Sequence, residues 1–222
     1  MNWEKVGLLC LDFDGVVTDS TKWYDEGGMA LKRADGRDGM GCFMVNKLLG
    51  IPICVVSNED SPITRQWCQK QYADFRHAGY EVGKDKIVVD LTTELNIPLD
   101  HVCFIGDDIT DLCALNVVGF PVVVADAHPF LLNRGFYTTT KGGGRGAIRE
   151  VCDLIYFNRK CIELAGLVPY GSRRCPLWNR DHSSTIDGFH ECCRECPLSN
   201  DIGRVMAVDM EGRVRGAYKD GA

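Results

Sequence analysis

No stretch of this chain approaches the roughly 18 uninterrupted apolar residues of a membrane span, which excludes a transmembrane reading of the sequence. Positive charge is also in deficit. Against 31 Asp and Glu stand only 25 Lys and Arg, a formal net charge of −6, and this argues against nucleic acid as the main partner, since the phosphate backbone is bound by a surplus of cations. The apolar run near the first residue is short, is interrupted by Asp12 and lacks a small-residue cleavage site after it, so no secretory leader is expected. The expectation is a soluble, cytosolic protein whose 222 residues suffice for one substantial core plus an appendage.

Cysteine, by contrast, is plentiful: there are 12, in two groups. Cys10, Cys42, Cys54, Cys68, Cys103, Cys113 and Cys152 lie in strand-like or helix-like segments, where a free thiol behaves as a small buried hydrophobe. Cys161, Cys175, Cys192, Cys193 and Cys196 crowd into a polar, irregular stretch. In a reducing compartment such crowding suggests metal more than disulfides. Cys193-Arg194-Glu195-Cys196 is a Cys-x-x-Cys pair with His182, His190 and Cys175 near in sequence. Tetrahedral zinc on Cys175, His190, Cys193 and Cys196 is one reading; unbound or disulfide-forming thiols and an iron–sulfur cluster stay open beside it.

Apolar strand candidates recur at 6–11, 51–56, 102–105 and 121–125, with helix-like segments between them at 39–49, 62–71, 85–95, 108–115, 128–132 and 147 to about 161. That alternation predicts an α/β fold, a parallel sheet with helices on both faces. In the third helix Ile87, Val88, Leu91 and Leu95 fall on one face. Residues 16–24 and 29–33 flank Asp25-Glu26-Gly27-Gly28 and read as a β-hairpin, too small to be a separate cap domain. The pattern breaks near residue 165, which divides the chain into a core domain at 1–165 and a Cys-rich extension at 166–222. Within the extension 204–209 and 213–218 suggest a second hairpin.

The chemistry-bearing residues sit at the ends of the strand candidates. Asp12 and Asp14 follow the first, Ser57-Asn58-Glu59 the second, and Gly106-Asp107-Asp108-Ile109-Thr110-Asp111 the third, while Lys84 and Lys86 precede the third helix. In an open α/β sheet, ligands bind outside the carboxyl ends of the strands, so a hydroxyl, an ammonium and two acidic groups converge there. Alone, each has an ordinary structural role: Asp-x-Asp-Gly as a polar turn, Ser57 as a helix cap, Lys84 as a surface charge, Asp107 to Asp111 as first-turn acids. Their joint occurrence in this order is what points to chemistry.

These four pieces resemble the haloacid dehalogenase superfamily of phosphotransferases over residues 6 to about 160. The resemblance implies a Rossmann-like sheet with Asp12 as nucleophile, Asp14 as general acid and base, and Ser57 and Lys84 as phosphoryl clamps, with Lys86 second to Lys84. It implies Mg2+ on Asp12, the main-chain carbonyl of Asp14 and Asp107, with Asp108 and Asp111 as supporting acids. Within the superfamily, Arg37-Asp38-Gly39-Met40-Gly41, Ala125-Asp126-Ala127-His128-Pro129 and the segment Gly142-Gly143-Gly144-Arg145-Gly146-Ala147-Ile148-Arg149-Glu150 resemble the capless phosphatases of 2-keto-3-deoxy sugar acids. That resemblance implies a small-molecule sugar acid phosphate as substrate, a hairpin flap in place of a cap, and a homotetramer in which a neighbouring subunit closes the site. It makes Arg37 and Arg145 candidate substrate contacts, Arg145 to the substrate carboxylate or to a neighbouring subunit.

Eight-carbon phosphatases typically carry Thr-Gly-Arg after the second strand, whereas here Ser57-Asn58-Glu59 stands, with Lys70 eleven residues beyond Glu59. This resembles phosphatases of nine-carbon acids and favours a nine-carbon ulosonate 9-phosphate over 3-deoxy-D-manno-octulosonate 8-phosphate, with Asn58, Glu59 and Lys70 as substrate contacts. A non-catalytic regulatory or assembly domain tied to sialate or octulosonate activation is the alternative function, and a metal-sensing Cys-rich tail a third.

Overall fold

The computed structural model describes residues 1–165. The Cys-rich extension, its proposed zinc ligands Cys175, His190, Cys193 and Cys196, and the second hairpin all lie outside the described residues. A compact unit spans Met1–Arg159.

The core is a six-stranded parallel sheet. Its strands are β1 (Leu8–Leu11), β4 (Ile53–Ser57), β5 (Asp74–His77), β6 (Val102–Gly106), β7 (Phe120–Val123) and β8 (Tyr137–Thr138), in the order β5-β4-β1-β6-β7-β8. Every residue of β1, β4 and β6 is buried. A strand covered on both faces gains nothing from alternating polarity, which is why these segments read as unbroken apolar runs. The remaining strands, β2 (Thr18–Asp25) and β3 (Gly28–Ala34), form a separate antiparallel pair between β1 and the first helix.

The helices are α1 (Gly36–Phe43, its turns carried on through 44–48), α2 (Pro62–Gln71), α3 (Lys84–Leu95), α4 (Leu112–Val117), α5 (Pro129–Leu132) and α6 (Ala147–Ala165). The right-handed rule for parallel crossovers puts α1 and α2 on one face and α3 and α4 on the other. In accord with it, α1 packs on α2 and α3 on α4. Among the described residues no helix is long and apolar enough to cross a membrane.

Several boundaries differ from the expectation, each for a local reason. The first helix begins at Gly36, not Gly39, because the Asp35 carboxylate caps it, accepting from the Arg37 N–H at 2.8 Å. The helix expected over 108–115 is split into a tight turn, Ile109–Asp111, and α4, because Asp108 and Asp111 cap each other's backbone. On α3 the buried face is Lys84, Val88, Leu91 and Thr92; Leu95 is exposed. The edge strands β5 and β8 carry charge or are only two residues long, and neither shows the apolar run of a buried strand.

Candidate active site

Strands β4 and β6 flank β1 on opposite sides, so the carboxyl end of β1 lies where the sheet's winding reverses. Asp12 leaves β1 there, Ser57 ends β4, and Asp107 follows β6. After Asp12 the chain turns through Phe13–Val17 with Gly15 at φ +95°. A β-carbon at Gly15 runs into the Asp107 carboxylate, so glycine is required both for the turn and for the approach of the two loops.

Asp12, Asp107 and Asp111 bring carboxylate oxygens within 4.8 Å of one another. Lys84, its side chain only 2% exposed, lies between two of them, with Nζ 2.7 Å from Asp12 Oδ1 and 2.7 Å from Asp111 Oδ1. Asp111 Oδ2 accepts from the N–H groups of Asp107 and Asp108 at 2.9 and 3.1 Å, which fixes the loop that carries Asp107. Burial, with the neighbouring carboxylates adding to it, pushes the Asp12 and Asp107 carboxyls well above the usual carboxylate range. Burial alone lowers the Lys84 ammonium, but Asp12 and Asp111 outweigh it and the net shift is upward. Three acids facing one base leave a local surplus of negative charge. Asp107 Oδ1 is buried with no hydrogen-bond partner among the described residues. An orphaned carboxylate oxygen in an all-oxygen cluster fits a hard divalent cation such as Mg2+.

Asp14 belongs to a different set. Its Oδ2 is 2.8 Å from Lys32 Nζ and 3.5 Å from Lys22 Nζ, and both lysines also hold Glu59 Oε2, at 3.4 and 2.6 Å. Thr18 Oγ1 donates to Asp14 Oδ1 at 3.4 Å. Lys32 is almost wholly covered, its side chain 1% exposed and its Nζ 5.3 Å from the centre of the Phe13 ring. Neither lysine was among the sequence-based candidates. The available signal is that they fall opposite each other on the hairpin, two cations on paired strands beside an acid-rich loop.

The other expected residues divide. Ser57 is buried, with its Oγ accepting from the Glu59 N–H at 3.2 Å. Asn58 offers its carbonyl to His77 Nε2 at 3.1 Å. Between the two lysine candidates the geometry is one-sided: Lys84 is buried among the acids and Lys86 is exposed. Asp108 caps the following turn through Ile109 N–H at 2.7 Å. Lys70 lies in the last turn of α2, exposed, while Glu59 precedes that helix; ten helical residues span about 15 Å. Lys70 is therefore set about a helix length from Glu59, whose carboxylate is held by Lys22 and Lys32.

The three segments that mark the sugar-acid phosphatases are fastened to one another around this site. Asp38 accepts from the Arg149 N–H at 2.7 Å and the Gly146 N–H at 3.3 Å, capping α6; burial raises its carboxyl to about 6. Asp126 accepts from the Gly143 N–H at 2.8 Å, and the His128 N–H donates to the Asp107 carbonyl at 2.7 Å. At Gly143 a side chain runs into the Gly15 carbonyl. Arg37 bonds Asp35 and the Arg145 carbonyl (3.1 Å), and Arg145 Nη2 reaches Asp19 at 3.5 Å, both guanidiniums on the exposed rim.

Comparison with known proteins places the chain in a family. Residues 57–146 match the haloacid dehalogenase-like hydrolases. The 3-deoxy-D-manno-octulosonate 8-phosphate phosphatase of Escherichia coli K12 is 35% identical over 156 residues, which cover 68% of this chain and 80% of that protein. The chain belongs to the haloacid dehalogenase-like phosphatases. Among solved structures, the cobalt-bound deoxy-D-mannose-octulosonate 8-phosphate phosphatase of Haemophilus influenzae superposes with a TM-score of 0.67 at 31% identity, covering 72% of this chain and 92% of that one. The Moraxella catarrhalis 3-deoxy-D-manno-octulosonate 8-phosphate phosphatase, in complex with magnesium, phosphate and KDO, gives 0.67 at 29% identity, covering 75% and 96%.

Proposed function

We propose that this phosphatase hydrolyses the phosphate ester of a 3-deoxy-2-ulosonic acid through a phosphoryl group carried on Asp12. The observation that carries the reading is the separation of the two strand-end acids: Asp12 is engaged by Lys84 inside the acid cluster, whereas Asp14, two residues on, is engaged by the hairpin lysines. One carboxylate is thereby assigned to attack and the other to proton transfer.

A divalent cation held by Asp12, Asp107 and the Asp14 carbonyl, when bound, neutralises phosphate charge and orients the ester. The Lys84 ammonium offsets charge on the phosphoryl oxygens, and the Ser57 hydroxyl donates a hydrogen bond to one of them. The Asp12 carboxylate forms a bond to phosphorus as the ester oxygen leaves with the proton of Asp14. Asp14 then takes a proton from the water that attacks phosphorus, which releases inorganic phosphate and restores Asp12. Asp111 acts through Lys84 and the Asp107 loop, and Asp108 through the turn it caps.

The eight-carbon 8-phosphate is the substrate named for the relatives. Support for a nine-carbon 9-phosphate rests on Ser57-Asn58-Glu59 at the strand end, since α2 carries Lys70 to its far end. We include closure by a second subunit in the proposal, supported by Trp23, Tyr24 and Leu31, which stand exposed on the hairpin. A non-catalytic domain is the weaker reading, because Asp12, Asp14, Lys84 and Asp107 are all present and assembled.

The test is phosphate release from the two ulosonate phosphates, common sugar phosphates and nucleotides, with Asp12→Asn as control. The ulosonates are expected to be preferred, and Asp12→Asn to lose turnover by roughly a thousandfold or more while its circular dichroism is unchanged. Equal slow turnover of every ester, or a fully active Asp12→Asn, overturns the reading.

A further inference from the structure

The two hairpin lysines are partners across the hairpin, yet they sit differently. Lys32 is enclosed. Its ammonium is divided between Asp14 Oδ2 and Glu59 Oε2, with the Phe13 ring over it. Lys22 makes its short contact to Glu59 Oε2 at 2.6 Å, stands 3.5 Å from Asp14 Oδ2, and keeps its side chain 29% exposed. An ammonium has three N–H donors. One Lys22 donor is spent on Glu59 and a second leans toward Asp14, which leaves a third on a side chain that is 29% exposed.

Position follows from chemistry. An ester oxygen that receives a proton from Asp14 must lie within hydrogen-bond distance of that carboxylate. Groups one or two bonds farther along the leaving alcohol then lie within reach of a cation 3.5 Å from the same carboxylate. Resting on the function proposed above, we propose that Lys22 binds the hydroxyl on the carbon next to the phosphorylated carbon of the leaving alcohol. This is a specificity-determining contact for phosphate esters of polyols. Glu59, whose carboxylate is held by both lysines, acts through Lys22 as a positioning residue. Lys32 sets the pair by holding Asp14 at 2.8 Å and Glu59 at 3.4 Å on one buried ammonium.

The contact predicts a selectivity that can be measured on two small esters differing in that hydroxyl. Glycerol 1-phosphate carries it and 3-hydroxypropyl phosphate, which keeps the terminal hydroxyl, does not. Both are primary alkyl esters whose leaving groups need a proton, so damage to proton transfer affects them alike. Their kcat/KM values, or their inhibition constants against the ulosonate ester, are compared in the wild-type protein and in Lys22→Met, Lys22→Arg and Glu59→Gln. The wild type is expected to favour the glycerol ester by roughly tenfold or more, the scale of one hydrogen bond to a charged group. Lys22→Met should collapse that ratio toward one, Lys22→Arg should restore part of it, and Glu59→Gln should lower it without adding to Lys22→Met in the double variant.

A wild-type ratio near one overturns the proposal, as does a ratio that survives Lys22→Met. A protein active on both esters that shows no such ratio loses this inference while remaining a phosphatase. Failure of the parent reading appears separately, in an Asp12→Asn variant that keeps its turnover.

Discussion

The two halves of the site balance charge in opposite ways. At the sheet end Asp12, Asp107 and Asp111 face a single ammonium, Lys84; at the hairpin Asp14 and Glu59 face two, Lys22 and Lys32. In the first half burial, with the neighbouring carboxylates adding to it, raises the carboxyls of Asp12 and Asp107, and a buried oxygen of Asp107 has no hydrogen-bond partner among the described residues. In the second the lysines outweigh burial and hold the Glu59 carboxyl below its ordinary range. Like charges packed together favour a bound cation or a bound proton, whereas matched charges favour a fixed geometry. One half is therefore suited to take up a metal ion, the other to hold an acid and a reading group in place.

The comparison breaks most sharply at Lys84. Replacing it with Met leaves Asp12 and Asp111 as buried neighbours with no cation between them. Removing one partner of a buried pair costs roughly 3–5 kcal/mol. Lys84→Met is expected to lose that order of stability in urea denaturation without metal, to regain part of it with Mg2+, and to remain inactive at saturating metal because the phosphoryl group still lacks its clamp. Activity near wild type in Lys84→Met with Mg2+ overturns the role assigned to this ammonium.

Lys32→Met probes the matched half. Lys22 survives there, and Asp14 and Glu59 are partly solvated, with side chains 21% and 34% exposed, so the stability loss should be smaller, about 1–2 kcal/mol. The kinetic signature differs too. A displaced Asp14 slows proton transfer to an alkyl leaving group by roughly 10- to 100-fold, while an activated aryl phosphate, whose leaving group needs no proton, is hydrolysed with less loss. Equal losses on both esters indicate that Lys32 supports the fold alone.

The same two halves differ in how legible they are from the sequence. Strands β1, β4, β6 and β7 announce themselves because central parallel strands are buried on both faces, and their carboxyl ends deliver Asp12, Ser57 and Asp107 together by topology alone. Lys84 is legible for a related reason, as it opens the helix that leads into β6. The hairpin half is not legible in this way. Lys22 and Lys32 stand 37 and 27 residues from Glu59, and their meeting depends on how the β2–β3 pair folds back over the turn after Asp14. The resemblance named Glu59 and Lys70 together as substrate contacts, but Glu59 stands before α2 at the strand ends whereas Lys70 lies in that helix's last turn. Strand β5 is missed because an edge strand tolerates Asp74, Arg76 and His77.

The smallest expected effect, and the one that reads the charge surplus directly, is the pH dependence of the metal-free protein. A carboxyl raised by folding binds its proton more tightly in the native than in the unfolded chain, so stability falls as pH climbs from the ordinary Asp value, about 3.9, through the raised native value. Asp12, Asp107 and Asp38, the last at about 6, all act in this sense. The carboxyls held low, Asp19, Asp35 and Glu59, act in the opposite sense, but their contribution changes only at acid pH, below their ordinary values. Between pH 5.5 and 8.5 the raised carboxyls of Asp12, Asp107 and Asp38 therefore dominate, joined toward the top of that window by the buried thiols of Cys10, Cys54, Cys68, Cys103 and Cys152, which act in the same sense as the unfolded thiols begin to ionise at about 8.5. In chelator, Tm should drop by a few degrees across that window. Saturating Mg2+ should stabilise more at pH 8.5 than at pH 5.5, because the ion displaces protons from the acids that hold it. Asp107→Asn removes one of those acids and should flatten both trends. A metal-free Tm that rises with pH, or a Mg2+ gain independent of pH, contradicts the charge surplus on which the metal site is argued.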